Sequence, residues 1–208
     1  FLAPGQGHVF GTDDLGRDML SRVAHGARVS LSVGVAAALV SAVIGTVVGS
    51  AAGFFGGYVD EFLIRVAEAF QVVPQFFLAI LIVALFGPSV NRIVLVIAIL
   101  SWPSTARIVR AEFLKMRRLD FVAAARLAGA GNATLIFREI LPNTLPPLIV
   151  NTSLQIAGAI LTEASLSFLG LGDPEVVSWG QLLFSAQPFL RNAWWIAVFP
   201  GVAISVTA

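Results

Sequence analysis

The sequence predicts an all-α, polytopic membrane helical bundle, and three observations carry that prediction. Apolar residues make up 57% of the chain and charged residues only 12%, about half the ~25% of a soluble domain. Val29 to Val59 contains no charged side chain, which is longer than the ~20 residues needed to cross the hydrocarbon. The basic residues are concentrated in one connection between apolar runs. With 208 residues a soluble fold could also bury a core, so length does not decide the matter. The net charge of +1 predicts no nucleic-acid partner. The lack of cysteine excludes disulfides and thiolate metal sites.

Residues 1–28 read as an external segment before the first visible span, and 29–208 as the membrane domain. Four apolar stretches follow Val29–Val59. Ala69–Asn91 is entered through Phe62–Glu68, with a kink expected at Pro74. Ile93–Ala106 is short for a span, and Arg92 and Arg107 flank it with stems long enough to snorkel to the interfaces. Ile140–Thr162 continues past Glu163 into Ala164–Gly172. Asn192–Ala208 opens on Trp194 and Trp195, as expected where indoles meet the headgroups. The chain begins at Phe1 without a signal-peptide pattern and stops within an apolar run, so both ends read as cuts.

Basic residues orient the spans. Arg107, Arg110, Lys115, Arg117, Arg118, Arg126 and Arg138 lie between the third and fourth apolar stretches, which places that connection in the cytosol. Counting spans puts Gly56–Arg65 inside, and the N-terminal stretch, Gly87–Arg92 and Leu171–Arg191 outside. Arg17, Arg22 and Arg28 oppose an outer N-terminal stretch.

The connection, residues 107–142, has internal order. Asp120 is expected to cap a helix over Phe121–Ala128, ended by Gly129 in the left-handed conformation. Asn132 is expected to cap a second short helix, Ala133–Leu141, before Pro142. The first helix lacks the broad charged face of a solvated helix, so it packs on something: a partner, the bilayer surface, or the chain's own helix ends.

Ala124-Ala125, three residues, Gly129, then Leu141-Pro142 resembles the EAA loop of binding-protein-dependent ABC importer permeases. Ala123 replaces the pattern's glutamate, and Glu139 its isoleucine, with Ile140 beside it. The blocks Phe10–Asp18, Gly26–Leu31, Gly53–Gly57 with Asp60 and Arg65, Glu163–Gly172 and Ser178–Gly180 are similar to the dipeptide/oligopeptide/nickel branch, in particular its C-type dipeptide subunits. The resemblance implies a MetI-like, type I ABC importer permease of six spans, the first missing and the last truncated here. It also implies a second permease chain forming a heterodimer, two cytosolic ATP-binding subunits and an external solute-binding protein. No cofactor is then bound by this chain, because ATP and magnesium sit on the partner subunits. The coupling residues it implies are Phe121, Ala124, Ala125, Arg126, Gly129, Leu141 and Pro142. For docking of the binding protein it implies Asp14, Gly16, Arg17, Asp18 and Trp179. Peptides are the implied cargo, with nickel or glutathione as alternatives.

The residues exclude several chemistries. The only lysine, Lys115, is followed by Met116, so no phosphate-binding loop exists. His8 and His25 both precede the first span, which leaves no intramembrane histidine cluster or Ser/His pair. Glu163 has two readings: a pathway or partner-contact carboxylate, or a residue at the outer interface where the span ends near Thr162. The second is preferred. Arg65 is expected to pair with Glu68. Gly34, Ser41, Gly45, Gly49 and Gly53 form a small-residue stripe suited to close helix packing. Gln181–Leu190 is expected to lie along the membrane interface. The competing functions are a secondary transporter or channel driven by an ion gradient, which requires ionisable groups at mid-depth, and a non-transporting scaffold, which needs no coupling loop.

Overall fold

The structure is a computed structural model and describes residues 1–5, 7–72 and 74–208. The described elements are α1 (Met19–Phe55), α2 (Gly57–Val72), α3 (Gln75–Phe86), α4 (Val90–Met116) and α5 (Asp120–Leu127). Then come α6 (Asn132–Leu171), α7 (Trp179–Ala186) and α8 (Trp195–Thr207). By length and composition α1, α4 and α6 can each cross a membrane, and the α2–α3 pair supplies a fourth span if taken as one. An isolated β-bridge joins Thr12 and Asp18.

Several boundaries differ from the sequence expectation, each for a local reason. α1 starts at Met19 rather than Val29, because Asp18 accepts the Ser21 amide at 2.8 Å and caps it. The short span Ile93–Ala106 is part of the 27-residue α4, which carries Arg107, Arg110 and Lys115 onward without a break. Arg92 donates to the Phe86 and Gly87 carbonyls at the end of α3. Pro74 falls between α2 and α3, where the kink was expected. Arg65 pairs with Glu61 at 2.7 Å rather than with Glu68, one helical turn the other way.

α6 corrects the largest misreading. No short helix ends at Pro142, and α6 runs through Pro142, Pro146 and Pro147. Its turns over Leu135–Ile140 and Ser167–Leu171 are π-type. The wide turn before Pro142 loosens the regular ladder, and the Asn143 side-chain amide takes the Glu139 carbonyl at 2.6 Å. The proline therefore leaves less of the ladder orphaned than a regular turn would.

The chain forms two compact units: residues 1–37, 76–97 and 156–208, and residues 38–75 and 98–155. In the first unit, Met19, Ile160, Leu182, Ala186 and Ile196 build the core, with Trp179 and Trp195. Gly34 lets α1 approach α6: a Cβ there would lie 3.2 Å from the Ile156 carbonyl oxygen and 2.6 Å from Ile160 Cγ1. α7 packs one face into this core, with Trp179, Gly180, Leu182 and Ala186 buried, while Phe184 remains exposed.

In the second unit the glycine stripe seats α1 on α4. Added Cβ atoms would stand 2.5 Å from Thr105 Cβ at Gly45, 2.4 Å from the Ala106 carbonyl at Gly49 and 2.5 Å from Phe113 Cβ at Gly53. Polar side chains then tie three helices together. Ser41 donates to Gln155 Oε1 at 3.0 Å, and Gln155 Nε2 donates to Ser104 and Thr105 at 2.9 and 2.7 Å. Asp60 on α2 and Arg110 on α4 form a two-pronged ion pair, and Arg117 donates to the Gly53 and Phe54 carbonyls at 3.0 and 3.2 Å.

Candidate functional site

The second unit carries the helix on which the functional reading turns. α5 begins after Leu119, whose extended backbone makes it the cap position; Asp120 lies in the first turn and supplies no capping bond. That corrects the expected cap, although a carboxylate there still complements the helix N-terminus. Asn132 is likewise inside the next helix, with Gly131 at its cap. The end of α5 is as expected. Gly129 adopts φ +89°, its amide donates to Arg126 O at 3.1 Å, and the Ala130 amide donates to Ala125 O at 3.0 Å. This pair of bonds is the Schellman arrangement, which needs a left-handed residue at Gly129.

One face of α5 is anchored and the other is free. Val122 is fully buried against Phe113, Leu135 and Ile140, with Ala125 half-buried beside it. Ala123, Ala124, Leu127 and Ala128 point outward, Leu127 with 89% of its surface exposed, and Phe121 lies at the edge. Arg126 is exposed as well. The anchored face accounts for part of the packing expected of this charge-poor helix, on the chain's own helix ends. The outward apolar face has nothing on it among the described residues. Leu141 is half-buried and Pro142 exposed. Ile140 is buried in the core below α5 while Glu139 is only half-buried. The π-type turn places one extra residue in that stretch, so Ile140 rather than position 139 supplies the apolar contact.

The first unit gathers the other candidates. Asp13, 3% exposed, accepts the Leu15 and Arg17 amides at 3.0 and 2.8 Å, Arg17 Nε at 2.7 Å and Arg22 Nη1 at 3.2 Å. Two of the three arginines that opposed an outer location are thereby held on one buried carboxylate. Burial pushes the Asp13 carboxyl up, but the hydrogen bonds from the Arg17 amide and guanidinium and the Leu15 amide outweigh it. Its pKa lies below the ordinary 3.8. A depressed carboxylate contributes stability that is complete above its unfolded value and is lost as pH falls through the folded one. The solubilised protein should therefore lose thermal stability below about pH 3.8, and the gap between wild type and Asp13→Asn should close over that range. A gap that stays constant to the acid limit contradicts this anchor role.

Asp14, Gly16 and Arg17 form an exposed turn, with Gly16 at φ +75°. Asp18 caps α1 and holds His8 Nδ1 at 2.9 Å; the Ser21 amide and His8 keep its carboxyl below the ordinary range. Trp179 does not belong with these surface residues. It is 3% exposed, its amide donates to Ser30 Oγ at 3.1 Å and its indole to Val23 O at 2.9 Å. It is a core residue that holds the start of α7.

Glu163 also departs from the preferred reading. α6 does not end near Thr162, and Glu163 is 3% exposed, accepting Ser30 Oγ at 3.2 Å and Ser167 Oγ at 2.8 Å. Ser30 thus links the Glu163 carboxylate to the Trp179 amide. Sequence reasoning missed Ser30, a small polar side chain whose partners are distant in the chain, and Asp13, whose partners are close in sequence but whose burial is set by the fold. Only the alternation of Ser30 with apolar neighbours on α1 hinted at a facing partner.

Residues 45–208 match the family of binding-protein-dependent transport system inner membrane components. The chain belongs to that family. The permease is 46% identical to the dipeptide transport system permease protein DppC of Escherichia coli K12, over 96% of this chain and 67% of that protein. It is 41% identical to the di/tripeptide transport system permease protein DppC of Pseudomonas aeruginosa UCBPP-PA14, over 98% and 68% respectively. The permease spans about two thirds of the length of these relatives. Its fold matches a chain of the inward-facing MetNI methionine ABC transporter with a TM-score of 0.73 over 91% of both chains, at 16% identity. The resemblance read from the sequence blocks therefore holds, and so does the all-helical, MetI-like membrane fold.

Proposed function

We propose that this permease forms half of the translocation path of an ABC importer for di- or oligopeptides, and that α5 receives the motion of a partner ATPase. The observation that carries the coupling reading is the outward apolar face of α5, closed at Gly129 and rigidly seated through Val122. A charge-poor exposed face on a fixed helix is what a docking surface requires. The partners are a second permease chain, two ATP-binding subunits that carry ATP and magnesium, and an external solute-binding protein. The set of coupling residues is Phe121, Ala124, Ala125, Arg126, Gly129, Leu141 and Pro142.

Gly56–Arg65 and the 107–142 connection fall in one unit, while the N-terminal stretch, Gly87–Arg92 and Leu171–Arg191 fall in the other. Closure of the ATPases would displace α5, and Val122 with the Asp60–Arg110 and Arg117 contacts would pass that displacement to α4, α2 and α1. Asp14, Gly16 and Arg17 remain the exposed candidates for meeting the binding protein. Glu163 serves the inside of its own unit rather than a pathway. Family membership sets aside the ion-gradient reading and the scaffold reading.

Peptide as the cargo rests on the two DppC relatives. The permease, co-reconstituted with its ATPases, partner permease and binding protein, is expected to accumulate labelled dipeptide in an ATP-dependent manner. Accumulation of nickel or glutathione, with none of dipeptide, would overturn the peptide assignment.

A further inference from the structure

We propose that a groove beside the start of α1 binds the phosphodiester of an anionic glycerophospholipid. The groove has a volume of about 380 Å³ and is lined by Arg22, His25, Arg28 and Val29 of α1, with Glu175 and Val177 opposite. Its position relative to the bilayer follows from α1 itself. Leu31, Val35, Leu39, Val43 and Val47 recur one turn apart and are 38–64% exposed, which marks the lipid-facing stripe of the helix. Arg28 lies one turn before Leu31, is exposed, and is the last charged residue before the uncharged run to Val59. Its guanidinium therefore stands where the apolar stripe stops, at headgroup depth.

The lining has the chemistry of a lipid headgroup and the first part of its chains. Arg28 makes no ion pair among the described residues. Arg22 reaches Asp13 through Nη1 alone, and its buried Nε has no hydrogen-bond partner. Asp13 already serves Arg17, so the wall retains unspent donor capacity. Guanidinium groups match phosphate oxygens in charge and planar geometry. Val29 and Val177 offer apolar surface to the glycerol and upper acyl carbons. Glu175, the one acid on the wall, is outnumbered by the two arginines.

The test uses the permease in nanodiscs of mixed phosphatidylglycerol and phosphatidylcholine, with the retained lipids counted by native mass spectrometry. Wild type is expected to retain phosphatidylglycerol in preference. Arg28→Gln is expected to lower that preference about ten-fold, the effect of losing one charge-assisted hydrogen bond to the phosphate. Arg65→Gln, which removes an exposed arginine of the other unit, should leave it unchanged. Val177→Glu, which puts a repelling carboxylate in the groove without touching Arg28, should lower it as well and serves if Arg28→Gln fails to assemble. An unchanged preference in either groove variant overturns the proposal. So does displacement of the retained lipid by inorganic phosphate, which marks a free-anion site. Weakened binding-protein association with unaltered lipid retention assigns the groove to docking instead and also overturns it.

Discussion

Gly49→Leu is expected to reduce the yield of monodisperse, folded permease at least ten-fold. A Cβ at this position would meet the Ala106 carbonyl oxygen at 2.4 Å and Val109 Cβ at 2.9 Å, and a backbone oxygen cannot rotate away as a side chain can. α1 and α4 would have to separate, and Gly45 and Gly53 would lose their contacts with Thr105 and Phe113 together. Overpacking a tight contact typically costs about 1–3 kcal/mol, and about 1.4 kcal/mol is a factor of ten. Membrane helices have little hydrophobic drive to reassociate, so van der Waals packing is the main force lost. Gly131→Ala is the control, since nothing lies within 4 Å of its Cβ direction and its φ is −74°. Size-exclusion yield and melting temperature of the two variants make the comparison.

Leu127→Glu is expected to behave in the opposite way, folding normally and failing in transport. With 89% of its surface exposed, Leu127 contributes little to the stability of the isolated chain. If its face seats in a cleft on the ATPase, the variant buries an unpaired carboxylate there. An uncompensated polar group costs about 1–3 kcal/mol or more on burial, enough to lower ATPase association and coupled uptake ten-fold or beyond. Gly129 should be sensitive for a different reason. Any side chain there is strained at φ +89° although space is open, so substitution would misdirect the end of α5 rather than clash.

What the residues disclosed in advance was what neighbours in sequence decide. Gly129 after an alanine-rich run signalled the helix end, and glycines four residues apart signalled a close helix contact, though not its partner. What stayed hidden depends on partners far along the chain or on rescue of a broken rule. Pro142 looked like a stop, yet a π-type turn and the Asn143 amide carry α6 through it. Arg17 and Arg22 looked like misplaced cytosolic charges; their shared partner Asp13 is near in sequence, but its burial, which makes it their anchor, is set by the fold. Glu163 looked like an interfacial residue because span length was counted from Pro142. Ser30, 133 residues away, donates to its carboxylate together with Ser167. Trp179 looked like a surface aromatic, and only the packing of α7 shows it as core. The outward face of α5 was legible as a charge deficit, but which residues face out required knowing that Val122 points in.

The central claim is that this face touches an ATP-binding subunit. The sequence contains no cysteine, so Leu127→Cys introduces one at the centre of the face. In the assembled transporter, a short photoactivatable crosslinker on that cysteine is predicted to join the permease to the ATP-binding subunit, and a label on exposed Tyr58 of α2, placed as Tyr58→Cys, is predicted to give much less of that product. Crosslinks from position 127 that go only to lipid or to the partner permease would contradict the account.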